Sequence, residues 1–180
     1  MADIHKVFLS FHHNPIDEAY RREFEQLFSG QRQIFINKSI HDGDIDSNLT
    51  DEGIARKIRT DYLSDSTVTI VLVGADTWSR KHVDWEIYSS IRETNISSRS
   101  GLLGILLPSY KYVEKNKYNP KTIPKRLYEN VKSGYADIHS YTKNASAISE
   151  WIEEAFQRKN GNNFDLSSPR MKQNLEGYHW

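Results

Sequence analysis

Along this chain, short unbroken apolar runs take turns with segments of helical period. Val7-Phe8-Leu9, within Ile4 to Phe11, has no polar interruption, which suits a strand covered on both faces. Asn14-Pro15 then supplies a cap and a preset first helical residue, with Asp17 and Glu18 at the positive helix end. Ile16, Ala19, Tyr20, Phe24, Leu27 and Phe28 keep helical spacing up to a stop at Gly30. A short strand is expected at Gln33 to Ile36, a polar loop from Asn37 to Asn48, and a second helix behind Thr50 carrying Ile54, Ala55, Ile58 and Tyr62. The clearest strand is Thr67 to Val73, the expected centre of the sheet, broken by Gly74 to Ser79. Val83, Ile87 and Ile91 mark one side of the next helix, Arg80 to Thr94. A fourth strand spans Leu102 to Leu107 and ends at Pro108. A helical turn within Ile123 to Val131, a weak strand at Ala136 to Tyr141 and an amphipathic helix capped by Asn144 complete the pattern.

Strands alternating with helices imply a parallel sheet, because parallel neighbours need crossover connections. Five strands and about as many helices predict a flavodoxin-like α/β fold, a five-stranded parallel sheet with helices on both faces. Residues 1–159 form the expected domain. Asn160 to Trp180 turns to Asn, Gly, Ser and Pro without a period and reads as a flexible C-terminal tail. In such sheets ligands meet the carboxyl ends of strands where connections diverge. That rule selects Ser10 to Asn14, Gly74 to Ser79 and Pro108 onward.

Composition narrows the chemistry. The 180 residues include 24 Lys plus Arg, 24 Asp plus Glu and no Cys. A cysteine nucleophile, a thiolate metal site and a disulfide framework are therefore excluded. Zero formal charge argues against a general nucleic-acid surface. No apolar stretch approaches the roughly 18 residues of a membrane span, and Met1 to Lys6 has no signal-peptide form. A soluble, cytoplasmic protein is expected.

Several motifs fail on inspection. Asp42-Gly43-Asp44-Ile45-Asp46 opens like a calcium loop, but Ser47 and Gly53 stand where Gly and Glu are needed, so a solvated turn is the expectation. Adjacent His12 and His13 point to opposite faces of an extended segment and do not complete a metal site. His12 can instead border a ligand at the strand end. The chain has no G-x-G-x-x-G, no G-x-x-x-x-G-K-[ST] and no G-x-S-x-G, and Ser10 occupies the strand end where a phosphoacceptor domain needs acidic residues. Glu86 lies about 100° around the helix from the Val83-Ile87-Ile91 stripe, bordering the core. An ordinary surface glutamate and a partly desolvated ligand-binding carboxylate both fit that position. Trp78 and Trp85 fit packing as well as stacking on a heterocycle.

Taken together, Val7-Phe8-Leu9-Ser10-Phe11, the run Ser66 to Gly74, Trp78-Ser79 and Val83-Asp84-Trp85-Glu86-Ile87 resemble a TIR domain. More narrowly they are similar to the TIR-like ThsB family of the bacterial Thoeris antiphage system; Phe11-His12 fits that variant, and Gly104 to Pro108 fits the family's fourth strand. The resemblance covers roughly residues 4 to 157. The loop Ser39 to Leu49 is longer and more acidic than usual there, and Val83 stands where many TIR domains carry Cys.

The resemblance implies an enzyme of the NAD glycohydrolase or ADP-ribosyl cyclase type. Glu86 is then the catalytic residue, Ser10, Phe11 and His12 form the floor of the nucleotide pocket, and Asp76 and Trp78 are further substrate contacts. NAD is substrate rather than cofactor, and no metal is required. The implied partners are a separate effector reached by a diffusible ADP-ribose-derived product, a phage-derived trigger and further copies of the chain. A non-catalytic TIR-like module that signals by assembly is the alternative.

Overall fold

A computed structural model describes residues 4–32, 34–37 and 48–177. Five parallel strands form one sheet in the order β2-β1-β3-β4-β5: β1 His5–Phe11, β2 Phe35–Asn37, β3 Val68–Val73, β4 Gly101–Leu106 and β5 Ala136–Ser140. The helices are α1 Pro15–Glu25, α2 Asp51–Lys57, α3 Lys81–Ile91, α4 Lys125–Lys132 and α5 Ala145–Arg158. The chain is thus doubly wound, as the alternation of elements predicts. π-helical turns at Gln26–Gln31 and Ile58–Leu63 extend α1 and α2. Of the acidic loop Ser39 to Leu49, residues 39–47 lie outside the described residues, and with them the Asp42 to Asp46 turn.

Strand parity divides the core. Val7, Leu9 and Phe11 of β1, with Ile70 and Leu72 of β3, face the layer of α1 and α5, where Phe24, Phe28, Ile148 and Ile152 cover them. Val71 and Val73 face the opposite layer, against Val83, Ile87 and Ile91 of α3 and Leu127 of α4. Phe8 packs on Ile58 and Leu63 beside α2. Ser10, two residues on from Phe8, therefore projects toward α2 and α3. At the start of β4, a Cβ on Gly101 would stand 2.1 Å from the Ala155 carbonyl oxygen, so glycine there is what lets α5 lie directly on the sheet.

The sequence underestimates the burial of α3. Its stripe predicts one covered side, yet Val83 to Ile87 and Ser89 to Ile91 are all buried. The second cover is the segment following α5, which the composition predicts to be flexible. Among its described residues, which end at Gly177, it has no helix or strand but is held across α3 and α4. Phe164 and Leu166 pack on the α3–α4 core, and the Asn130 side chain bonds the Asp165 backbone in both directions. The expectation of a free tail is corrected for this stretch, because its polar backbone finds partners that composition does not reveal.

A buried ion pair organises that strap. Arg126, 1 % exposed, donates Nε to Asp84 Oδ1 at 2.8 Å and Nη2 to Asp84 Oδ2 at 3.3 Å. Its remaining donors reach the carbonyls of Ser168 at 3.0 Å and Pro169 at 3.2 Å. Met171 returns its N–H to Asp84 Oδ2 at 2.8 Å and accepts from Trp85 Nε1 at 2.7 Å. Further along, Asn174 Oδ1 accepts from Lys81 N at 2.9 Å, and Leu175 N donates to Ser79 O at 2.9 Å. Arg80, the residue before α3, offers no side-chain cap, so the strap supplies the missing cap from 93 positions away.

Replacing Asp84 with Ala leaves a buried guanidinium without its counter-charge and should cost about 3–5 kcal/mol in urea unfolding. The strap should become cleavable by protease at the same time. Asp84→Leu combined with Arg126→Met removes the unpaired charge but also frees the Ser168, Pro169 and Met171 backbone groups, so it should recover only part of the loss while the strap stays protease-sensitive; a strap as protected in Asp84→Ala as in the wild type would show that the pair does not hold it.

Candidate functional site

The switch point of the sheet lies between β1 and β3, whose connections leave to opposite faces. At the carboxyl end of β1, Ser10 is fully buried and its Oγ donates a hydrogen bond to Oε2 of Glu86. Glu86 is 5 % exposed and has no basic hydrogen-bond partner among the described residues. The ordinary-surface reading of this glutamate is thus corrected: α2, α4 and the strap enclose the helix that carries it. Burial pushes its carboxyl pKa up, opposed by the nearby His82 and by the Ser10 hydroxyl.

His82, one turn before Glu86, joins the groups around it. Its Nε2 donates to the Phe11 carbonyl at 2.9 Å, and its ring lies 5.4 Å from that of His13. It also acts electrostatically on both Glu86 and His12. No periodicity marks this residue, and sequence reasoning missed it; its position four before Glu86, on the same helix face, was the available signal.

A second polar network holds the rim together. Asn14 Oδ1 caps α1 by accepting from Ile16 N and Asp17 N, so its amide nitrogen is left to donate. It does so to Asp17 Oδ2 at 2.7 Å and to His12 Nδ1 at 2.8 Å. His12 Nδ1 must then be the acceptor, which leaves Nε2 as the N–H of a neutral ring. Burial and the nearby Arg80 cation lower the His12 pKa, in agreement with that tautomer. The other Asp17 oxygen accepts from Ser109 Oγ, just beyond β4, at 2.6 Å. A Cβ on Gly74 would fall 2.2 Å from both carboxylate oxygens, so only glycine admits this close approach at the end of β3. One buried carboxylate thus ties together the ends of three strands.

The remaining expected site residues are placed less uniformly. Phe11 points to the face away from Ser10, into the core beside α1, with the Arg21 guanidinium 5.5 Å from its ring; only its carbonyl reaches the α3 side. Asp76 is exposed in the loop after β3, and Trp78 is buried within it. Arg80, which closes that loop, has a buried Nε with no hydrogen-bond partner among the described residues. It lies close enough to His12 to act on that ring electrostatically. A large cavity of about 1180 Å³ lies at the opposite, amino rim, between Ile4 to Lys6, Ile34 and α5.

The fold and rim define a doubly wound α/β domain of TIR type, with a serine at the end of β1 facing a glutamate on the helix after the central strand. The family model described as Thoeris protein ThsB, TIR-like domain, matches residues 8–112, and the chain belongs to that family. The match begins in β1 and ends past β4, so it includes both Ser10 and Glu86. Comparison with individually curated proteins gives no match. No helix among the described residues is long and apolar enough to cross a membrane.

The raised pKa of Glu86 has a consequence for stability. A carboxyl whose folded pKa exceeds its ordinary value of 4.5 favours the fold below that value and loses this contribution as pH rises through the folded pKa. Glu86→Gln should therefore melt above the wild type at pH 7–8, with the gap narrowing toward pH 4.5. A gap independent of pH would mean that the carboxyl titrates normally. Gly74→Ala should disrupt the Asp17 network and lower stability by about 1–3 kcal/mol, as overpacking does.

Proposed function

We propose that this protein cleaves the bond between nicotinamide and ribose in NAD, and that an ADP-ribose-derived product activates a separate effector in antiphage defence. The observation that carries the reading is Glu86: a buried carboxylate, held by Ser10 at the switch point, inside the stretch that matches the ThsB family. Cleavage expels neutral nicotinamide and leaves an oxocarbenium-like ribose, which a carboxylate stabilises as positive charge grows. Ser10 occupies one Glu86 oxygen. A ribose hydroxyl would share or replace that bond, and the poorly solvated carboxylate would hold it more strongly than an exposed one.

His12, with its Nε2–H, would donate to an acceptor on the nucleotide. Arg80 would face the diphosphate, with Asp76 and Trp78 in the same loop as further contacts; Phe11 would contribute through its backbone. Capture of the ribose by water gives ADP-ribose, and capture by an internal oxygen or nitrogen gives a cyclic product. The chemistry needs no metal. A cytoplasmic setting, where NAD is present, suits this reading, as do a phage-derived trigger and assembly of several copies.

A non-catalytic module that signals by assembly is the competing reading. It draws on the 5 % exposure of Glu86 and on the position of the large cavity at the other rim.

Incubation with NAD and chromatography for nicotinamide, with and without lysate of infected cells, separates the two. Turnover should appear and rise with pH as Glu86 ionises; Glu86→Gln should reduce it at least about 100-fold while remaining folded. Absence of nicotinamide release under both conditions would favour the assembly module.

A further inference from the structure

On the outer side of α3, away from the Ser10–Glu86 contact, arginines converge on Tyr88. The guanidinium carbons of Arg126, Arg170 and Arg92 lie 5.1, 5.2 and 5.7 Å from its ring centroid. Arg59, from the turn that continues α2, is close enough to Arg92 and Arg170 to feel both charges. Arg126 is neutralised by Asp84. Among the described residues, the carboxylate that acts on the other three is Glu52: it pairs with Arg170 and also senses Arg59 and Arg92. Counted over the described residues, the three arginines carry two more positive charges than Glu52 offsets where α2, α3 and the strap meet.

Mutual repulsion and burial make this arrangement costly. Arg59 Nε and Arg170 Nη1 are buried without a hydrogen-bond partner among the described residues, whereas a solvated arginine turns its donors to water. Both effects also lower the proton affinity of Arg59. Glu52 is a weak answer to the excess charge, since its side chain is 72 % exposed and screened. What the cluster lacks is a compact acceptor carrying two negative charges and several oxygens. Planar guanidinium forks match the edges of such an oxyanion, and arginine holds it with more directional bonds than lysine would.

We propose that Arg59, Arg92 and Arg170 form a binding site for a phosphate group, either free or carried by a larger phosphorylated molecule. The site is built from three segments that meet only in the folded chain: the turn after α2, the end of α3 and the strap. A phosphate there would cross-link them and brace the helix that bears Glu86 from its outer side. Because the cluster faces away from the switch point, this site is separate from the NAD pocket proposed above.

The test is titration of the full chain with sodium phosphate, pyrophosphate or a nucleoside monophosphate, at ionic strength held constant with chloride and followed by calorimetry and thermal melting. Saturable binding with a rise in melting temperature is expected; tighter binding of the nucleoside monophosphate than of phosphate would indicate a carried phosphate group. Arg59→Gln and Arg170→Gln should each weaken binding at least about 10-fold. Arg59→Gln should also raise the melting temperature of the unliganded protein, because it relieves repulsion, and so should separate loss of binding from loss of fold. Arg22→Gln, on an exposed residue of α1, should bind as the wild type does. A response no larger than that of chloride, or unchanged binding in Arg59→Gln and Arg170→Gln, would overturn the site. Loss of binding in Arg59→Gln and Arg170→Gln places the phosphate at this cluster rather than at the switch point, so the result stands whether or not the chain cleaves NAD.

Discussion

Two buried carboxylates stand at the same rim of the sheet, and the difference in how they are satisfied organises the site. Asp17 has a donor for each oxygen, Asn14 and Ser109, and lies flat against Gly74. Glu86 has a single hydroxyl, Ser10, and no basic hydrogen-bond partner among the described residues. The first is a structural clasp. The second sits where burial disfavours its charged form and only one hydroxyl offsets that cost, which is the condition under which a carboxyl group interacts strongly with whatever enters beside it. Environments that differ in this way are how proteins assign separate roles to chemically identical groups.

The clasp also reaches the neighbouring histidine. Asn14 caps α1 through its oxygen and directs its nitrogen to both Asp17 and His12, so the same side chain that starts the helix fixes the tautomer at the end of β1. Local helix capping and the chemistry of the rim are therefore one problem, solved by one residue. On the other side of the loop after β3, the strap caps α3 and fixes Ser79 through backbone bonds. The two segments flanking the switch point are thus held from opposite directions, one by the start of α1 and one by the far end of the chain.

Much of this was legible in the residue pattern. Uninterrupted apolar runs announced β1, β3 and β4, and the caps at Asn14, Thr50 and Asn144 stand where the sequence put helix starts. The carboxyl-edge rule by itself selects Ser10 and the Gly74 to Ser79 loop. Helical spacing located Glu86 but misjudged its burial, because a wheel registers one apolar stripe and cannot see a strap of Asn, Ser and Pro closing the other side. That strap escaped notice for the same reason: it is bound through backbone carbonyls and amides, which carry no side-chain signature. Parity along β1 does imply that Phe11 and Ser10 face opposite layers, although the resemblance grouped them together. His82 and Arg80 were visible as residues but had no pattern to single them out.

The course of the strap bears on how the protein is handled. Leu175 is bonded to Ser79, beside the loop that borders the proposed substrate pocket, while His5 opens β1 at the far rim of the sheet. A purification tag or fluorescent fusion joined after Gly177 would be tethered within a few residues of the Ser79 contact, whereas one joined ahead of His5 would start on the opposite side of the molecule. Assays made with tags at the two ends report on differently crowded entrances, and the amino-terminal fusion is the one that leaves the Ser10–Glu86 rim unencumbered.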